Sequence, residues 1–444
     1  MRISVVGTGY VGLVSGVCLA EKGHEVLCVD IDQAKVDRIN AGESPIHEDG
    51  LEALLKKHVG KRLQASTDLD QAVRESEVSL IAVGTPFKGD AIDLRFIRQV
   101  SEDIGRVLAD KEDYHVVVVK STVVPGTTDS VVLPLLEAAS GKKAGEDFGV
   151  GMNPEFLREG VAVEDFMDPD RIVLGGIDER SLEVMQRMYS VFDGVDVVRT
   201  NPRTAEMIKY TANSLLATMI SFANEVGNLC AATGEVDVID VMNGVHLDKR
   251  LSPITDQGRI TPSFTTYIEA GCGFGGSCFP KDVKALVAHG RERGMPMDLL
   301  GSVMVVNEQQ PMRMISLLKK HFPELKGVKV AVLGLAFKPG TDDIRESPSI
   351  PIIQALLDEN ADVVGFDPIA EAGMKHLYPV GQIRYADSVV EAIDGVDAIL
   401  LVTRWKEFED LPEMLSTMTK APLLVDGRRM LDKQSVEHYE GIGL

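Results

Sequence analysis

Cysteine is scarce in this chain and odd in number: five residues in 444, too few and too scattered for a disulfide framework. A reducing cytoplasm is therefore the expected location. No uninterrupted apolar run reaches the roughly 18 residues that a bilayer span needs, so no membrane partner is expected. The apolar N-terminus has no basic region beyond Arg2 and no small-residue cleavage site, which argues against a signal peptide. Lys/Arg-rich runs are also missing. With 46 basic and 68 acidic residues the net charge is −22, which leaves no face for a phosphate backbone and excludes nucleic acid as a partner. The nine histidines stand singly, without paired ligand spacing, and no metal site is expected.

What is present is an ordinary globular composition, 44% hydrophobic and 26% charged. At 444 residues the chain exceeds one hydrophobic core and should divide into about two or three domains. It opens with the apolar strand Ile3-Ser4-Val5-Val6, then Gly7-Thr8-Gly9-Tyr10-Val11-Gly12, then a helical stretch from Leu13 to Lys22. That order of strand, GxGxxG and helix is the context in which the glycines make a pyrophosphate turn, with helix N–H groups aimed at the phosphates. A second apolar strand, Glu25 to Val29, ends in Asp30. A carboxylate there takes the ribose hydroxyls and repels a 2′-phosphate, so the expected cofactor is NAD.

Further strands are expected near Ser79–Val83, Val116–Val119, Phe148–Val150 and Ile172–Leu174, separated by helical patterns. Alternation with continuous apolar strands indicates a parallel sheet covered on both faces. Residues 1–200 read as one doubly wound NAD-binding domain. From Thr204 to Gly244 the pattern becomes a long helical run with apolar residues on more than one face, so 201–300 read as a helical connector and dimerisation region. Strand-helix alternation restarts at Val328–Leu335, and a later strand ends in Asp367. Residues 301–444 thus read as a second Rossmann-like domain, although Gly334-Leu335-Ala336-Phe337-Lys338-Pro339-Gly340 is no standard pyrophosphate turn. The fold class is α/β: two Rossmann-like doubly wound domains joined by a long central helix and a helical dimerisation region.

Chemistry concentrates in Gly273-Phe274-Gly275-Gly276-Ser277-Cys278-Phe279-Pro280-Lys281-Asp282. Glycines let backbone approach a ligand, and a neighbouring lysine favours the nucleophilic thiolate. Cys18, Cys28 and Cys230 read as structural. Lys209 and Asn213 are four residues apart and project from one helix face, where a cation and an amide could meet a reacting oxygen. Glu155 and Glu159 lie in Asn153-Pro154-Glu155-Phe156-Leu157-Arg158-Glu159-Gly160, where Pro before the first Glu suggests a helix start.

Taken in order, GTGYVGLVSG, VGTPF, KSTVVPGT, NPEFLREG, AEMIKYTANSLLATMISFANE, GFGGSCFPKD, GLAFKPGTDDIRESPS and DGRRML run along nearly the whole chain. They resemble the nucleotide-sugar 6-dehydrogenase family, which includes UDP-glucose and GDP-mannose dehydrogenases. The resemblance implies a four-electron oxidation of a sugar C6 alcohol to a carboxylate with two NAD⁺. Cys278 would be the nucleophile that carries a thiohemiacetal and then a thioester. Lys209 and Asn213 would stabilise the C6 oxyanion, Asp282 would hold the catalytic water, and Thr122 and Glu155 would handle acid/base steps and water. By the same match Gly7, Gly9, Tyr10, Val11, Gly12, Asp30, Lys35, Thr85, Thr122, Glu159, Lys281 and Arg345 would contact NAD. The sugar nucleotide would meet Glu155, Phe156, Leu157, Arg158, Lys209, Asn213, Tyr267, Ile268, Glu269, Ala270, Gly271, Gly275, Lys338 and Arg428. Arg250 would reach a neighbouring subunit's site, which implies at least a homodimer. Phe279 after the cysteine and Asp168–Val173 are more similar to UDP-glucose enzymes than to GDP-mannose enzymes, and residues 253–264 have the look of an insertion beside the substrate. A two-electron hydroxyacid-type dehydrogenase, whose catalytic Lys and Asn are also four apart, is the more distant alternative.

Overall fold

In the computed structural model, which describes residues 1–444, the N-terminal apolar run is strand β1 (Arg2–Val6). It is followed by helix α1 (Tyr10–Glu21) and strand β2 (Glu25–Val29). The remaining strands of this sheet are β3 (Leu63–Ser66), β4 (Val78–Ile81), β5 (His115–Val119), β6 (Phe148–Met152), β7 (Ile172–Gly176) and β8 (Val197–Thr200). Their spatial order is β8-β7-β6-β5-β4-β1-β2-β3. Alternate residues feed two separate cores: Val116 and Val118 of β5 enter one, Val117 and Val119 the other. This is why the strands read as continuous apolar runs.

Two features depart from the sequence reading. Strands β3 and β8 are short edge strands whose exposed positions break the apolar signal. The sheet is also not wholly parallel, because β7 pairs with β6 antiparallel through Gly151↔Gly176 and Met152↔Gly175. The connection between them carries only the short helix α2 (Ala162–Met167), and the chain returns along the neighbouring strand in the opposite sense. Helix α3 (Glu179–Tyr189) then leads toward β8.

Helix α4 (Pro202–Thr233) is the long helix expected from the periodicity, 32 residues without interruption. The chain separates into two compact units, Met1–Ala212 and Asn213–Leu444, and α4 begins in the first and ends in the second. Gly227, inside the helix, has a packing reason: a Cβ there would lie 2.9 Å from the Ala270 methyl. Length and a mean hydropathy of 1.2 would by themselves allow α4 to cross a bilayer. Two of its polar side chains are engaged by protein, however: Lys209 with Glu155, and Asn224 with the Gly271 amide.

The second unit holds helix α5 (Phe279–Glu292), helix α6 (Asp298–Gln309) and a second sheet. Its strands are β9 (Lys329–Leu333), β10 (Asp362–Phe366), β11 (Arg384–Tyr385), β12 (Ala398–Leu401), β13 (Leu423–Asp426) and β14 (Tyr439–Gly441), ordered β11-β10-β9-β12-β13-β14 and all parallel. Val330 and Val332 face one core, Ala331 and Leu333 the other. The helix that follows β9, α7 (Ser349–Asp358), starts only after a long loop.

Candidate active site

The dinucleotide turn in the first unit is built as the glycines require. Gly7 adopts φ +99°, and a Cβ on Gly12 would sit 1.9 Å from the Gly7 carbonyl oxygen, so neither position accepts a side chain. A Cβ on Gly9 would meet nothing within 4 Å. The turn therefore presents an open cradle at the start of α1, where the first N–H groups of a helix have no intrahelical acceptor. Asp30 lies beside it. Its carboxylate accepts the Thr8 amide at 2.9 Å, the Thr8 hydroxyl at 2.6 Å and the Asp32 amide at 3.1 Å, with Lys35 Nζ at 3.7 Å. Burial pushes the Asp30 carboxyl up, but these donors outweigh it and hold it below the usual range. An open glycine turn with a fixed anion at the end of β2 fits a dinucleotide with a free ribose 2′-hydroxyl.

Tyr10 does not face that cradle alone. Its hydroxyl donates to the buried Glu48 carboxylate, which also accepts the Gly160 and Ala162 amides at 2.7 and 2.6 Å. Sequence reasoning missed Glu48. Thr85 donates to the Thr122 carbonyl at 2.8 Å, tying the ends of β4 and β5 together.

At the carboxyl end of β6 stands Glu155, buried, with Lys209 Nζ at 2.9 Å and the Leu157 amide at 2.6 Å. Burial raises the Glu155 carboxyl, yet Lys209, the Leu157 amide and Lys120 together hold it below its ordinary value. Phe156 packs under two cations, with the Arg171 guanidinium 3.8 Å and the Lys209 ammonium 5.4 Å from its ring centroid. Arg158 is exposed and forks onto Asp165. Glu159 is part-buried in the same segment.

In the second unit Cys278 occupies the N-cap of α5, where helix N–H groups favour a negative charge. It is the only cysteine not fully buried. Burial pushes the Cys18 and Cys28 thiols up to about 12, as suits structural residues. One turn into α5, Asp282 is buried and accepts the Asn213 amide at 2.7 Å and the Lys281 ammonium. The glycine loop before Cys278 is held from several sides. Gly276 has φ +83°, with its amide on the Arg345 carbonyl at 2.8 Å, and a Cβ on Gly275 would lie 2.1 Å from the Glu346 carbonyl oxygen. Three buried amide side chains complete the mount: Asn224 accepts Gly271 N–H at 2.8 Å, Asn307 brackets Phe274 at 2.8 and 3.0 Å, and Gln310 donates to the Gly271 carbonyl at 2.8 Å. None of the three was apparent from the sequence.

Other expected substrate residues divide between scaffold and surface. Arg428 donates to the carbonyls of Val402 and Gly273 at 2.6 and 3.0 Å, so its guanidinium braces the cysteine loop. Tyr267 packs on Phe279 at 6.3 Å, Ile268 and Ala270 are buried, and Glu269 pairs with Arg404 at 2.6 Å. Lys338 lies 5.7 Å from the Phe337 ring, and Arg345 forks onto Asp343. Arg250 pairs with Asp248 and its side chain is 89% exposed. The segment thought to be inserted is a short hairpin, Ile254–Thr255 with Gly258–Arg259, fastened by Arg259 to the carbonyls of Leu247 and Ser252.

Comparison with known proteins gives three family matches in chain order: the NAD binding domain of the UDP-glucose/GDP-mannose dehydrogenase family over residues 1–193, its central domain over 203–309 and its UDP binding domain over 331–433. A UDP-glucose 6-dehydrogenase of Haloferax volcanii is 43% identical over 447 residues, covering the whole of both chains. A GDP-mannose 6-dehydrogenase of Pseudomonas putida is 42% identical over 93% of each chain. The structure of a UDP-glucose dehydrogenase from Pyrobaculum islandicum matches with a TM-score of 0.89 at 38% identity, over 99% of this chain and 97% of that one.

Proposed function

Because the chain belongs to the UDP-glucose/GDP-mannose dehydrogenase family and is an NAD-dependent nucleotide-sugar 6-dehydrogenase, we propose that it oxidises UDP-glucose at C6 to UDP-glucuronate, removing four electrons. The observation that carries this reading is the placement of Cys278 at the head of α5, with Asp282 one turn on and bonded to Asn213. An alcohol-to-aldehyde dehydrogenase needs no such nucleophile. An aldehyde, by contrast, must become a tetrahedral adduct before it can lose a second hydride.

Gly7, Gly9, Gly12 and Asp30 would hold NAD, with Val11, Lys35, Thr85, Thr122, Glu159, Lys281 and Arg345 as further contacts, and the bound cofactor would accept the hydride in both oxidations. The sulfur of Cys278 adds to the C6 aldehyde, and the resulting oxyanion is met by the Lys209 ammonium and the Asn213 amide, one turn apart on α4. Loss of hydride from this thiohemiacetal leaves a thioester on Cys278. Water placed by Asp282 adds to the thioester carbonyl, the C–S bond breaks, and the carboxylate leaves with the thiolate restored. Glu155 holds Lys209 in position throughout, and Phe156, Leu157, Arg158, Tyr267–Gly271, Gly275, Lys338 and Arg428 shape the sugar-nucleotide site. A reducing cytoplasm would keep Cys278 a thiol.

The same reading includes a homodimer. On α4, Leu215, Phe222 and Leu229 are 54%, 56% and 67% exposed at seven-residue spacing, an apolar seam suited to a second copy. Arg250 would reach across such an interface. A monomer mass by sedimentation equilibrium would refute it.

The decisive assay exhausts limiting UDP-glucose with excess NAD⁺ and counts NADH. Two NADH per sugar are expected, and Cys278→Ser is expected to bind NAD and lose turnover. One NADH per sugar would overturn the thioester route. Two NADH from GDP-mannose alone would keep the route and change the substrate, an outcome for which the 42% identical relative named for GDP-mannose gives a reason to test.

A further inference from the structure

Glu48 lies in the loop before helix Leu51–His58, and only 7% of the residue is exposed. Its two carboxylate oxygens gather three donors from two parts of the site. Oε2 takes the Tyr10 hydroxyl and, at 2.7 Å, the Gly160 amide; Oε1 takes the Ala162 amide at 2.6 Å. The Gly160 amide also lies 3.0 Å from the Tyr10 hydroxyl oxygen. Tyr10 is the first residue of α1, directly behind the glycine turn, and Gly160 closes the stretch that begins at Glu155.

Attaching α2 does not require this carboxylate. Ala162 and Phe166 of α2 are buried in the same core as Leu51 and Leu55, with Ile46, Leu157 and Val163 packed against it. What the carboxylate fixes is the path of the chain that leads into α2. Between Met152 and Ala162 no helix or strand forms, so the backbone N–H groups there need acceptors from outside regular structure. The start of the stretch is held by the Asn153 amide on the Val119 carbonyl at 2.9 Å, and its end by Glu48, at a glycine with φ +87°. Glutamine could not do the same, because it has one acceptor oxygen where Glu48 uses two and would turn a donor toward the other amide.

The stretch held in this way carries chemistry. Glu155 accepts the Leu157 amide at 2.6 Å and faces Lys209 Nζ at 2.9 Å, and the Arg158 amide donates to Asp165 of α2 at 2.8 Å. A shift of the Gly160 end is therefore passed to Leu157 and Arg158, which meet the nucleotide sugar in the reading above, and through Leu157 to Glu155 and Lys209. At the other end of the link stands the helix whose first N–H groups face the dinucleotide phosphates in the same reading.

We propose that Glu48 is a positioning residue for the reaction: it fastens the sugar-nucleotide stretch 155–160 to Tyr10 at the head of the cofactor helix and so keeps the sugar and the dinucleotide in one register. The inference rests on the reading of these two segments as sugar-nucleotide and NAD sites. Two variants cut the link from either side. Glu48→Gln removes one acceptor, and Tyr10→Phe removes only the hydroxyl of a half-buried side chain, leaving both amides on Glu48.

With the nucleotide sugar that yields two NADH in the wild type, Glu48→Gln should lower kcat about tenfold and raise KM for the sugar about tenfold. KM for NAD should stay within about threefold, since Gly7, Gly9, Gly12 and Asp30 are untouched. Tyr10→Phe should lower kcat/KM for the sugar about fivefold, and the double variant should be no worse than Glu48→Gln, because both changes cut one link. A purely structural role predicts a lower melting temperature with the kinetic constants of the folded enzyme unchanged. That result, losses that multiply in the double variant, or an effect confined to KM for NAD each overturn the inference. If Glu48→Gln does not fold, Tyr10→Phe decides alone, and wild-type kinetics in that variant overturn the inference. If no nucleotide sugar yields NADH with the wild type, the functional reading fails, and amide hydrogen exchange over residues 154–162 decides about Glu48. Exchange there should be about tenfold faster in Glu48→Gln and about threefold faster in Tyr10→Phe, with β6 unchanged; exchange equal to the wild type overturns the link.

Discussion

The two Rossmann-like units open alike and end differently. Each has a strand, then a glycine with positive φ, Gly7 at +99° and Gly334 at +92°, and each has a second strand ending in an aspartate. In the first unit α1 begins at Tyr10, directly behind the glycine turn; in the second α7 begins only at Ser349. Asp30 accepts the Thr8 amide and hydroxyl and the Asp32 amide. Asp367 is filled by its own loop. One oxygen takes the Leu335 and Ala336 amides and the Trp405 indole at 2.8, 3.0 and 3.0 Å; the other takes the Ile369 and Ala370 amides at 3.0 and 2.9 Å. The Ala336 amide, which stands where Gly9 stands in the first unit, thus points at a carboxylate of the protein. The same residue at the same place in the architecture is thus filled from its own loop in the second unit and stands beside an open glycine turn in the first.

The largest effect should come from breaking that scaffold. Asp367→Ala strands four backbone amides and an indole N–H in a buried site, with an expected loss on the order of 4 kcal/mol in the unfolding of the second unit. Chemical denaturation read by the fluorescence of Trp405, the only tryptophan in the chain, measures it directly. A denaturation midpoint that stays put would break the comparison.

Asp30→Asn should behave in the opposite sense, with little change in midpoint and a rise of about tenfold in KM for NAD, equivalent to about 1.4 kcal/mol. Discrimination against NADP should shrink with it, since the charge that repels a 2′-phosphate is gone. Steady-state kinetics with both dinucleotides check this, and an unchanged NAD:NADP ratio would remove Asp30 from the ribose site.

Much of this contrast was legible in the sequence, because it rests on local signals. GxGxxG behind an apolar strand, the aspartate ending the next strand, the missing GxGxxG after β9, and Lys209 and Asn213 four apart all come from short-range spacing. The unread parts depend on distance in sequence. Asn224 meets Gly271 across 47 residues, Asn307 meets Phe274 across 33, and Asn213 meets Asp282 across 69. A buried amide on a helix looks like any surface amide until its partner is in place. The antiparallel β7 escaped for a related reason: nothing in the residues of a strand states the direction of its neighbour.

The smallest effect concerns another carboxylate, that of Glu206, and it sharpens what filling a carboxylate with donors can achieve. Glu206 on α4 is fully buried and accepts the Gly126 amide at 2.6 Å, the Thr128 amide at 2.8 Å and the Thr128 hydroxyl at 2.7 Å. It has three donors where Asp367 has five. Burial pushes its carboxyl up to about 7, against the lowering effect of these bonds and with Asp129 adding to the rise. The folded state therefore holds a proton that the unfolded chain releases near 4.5, so the stabilisation is complete below that pH and is lost as pH rises toward 7. Wild type should lose about 1 kcal/mol between pH 5 and 6 relative to Glu206→Gln, whose amide carries no such proton. Parallel denaturation curves for the two proteins at pH 5, 6 and 7 measure the slope. If the difference does not change with pH, three donors suffice to keep a buried glutamate ionised.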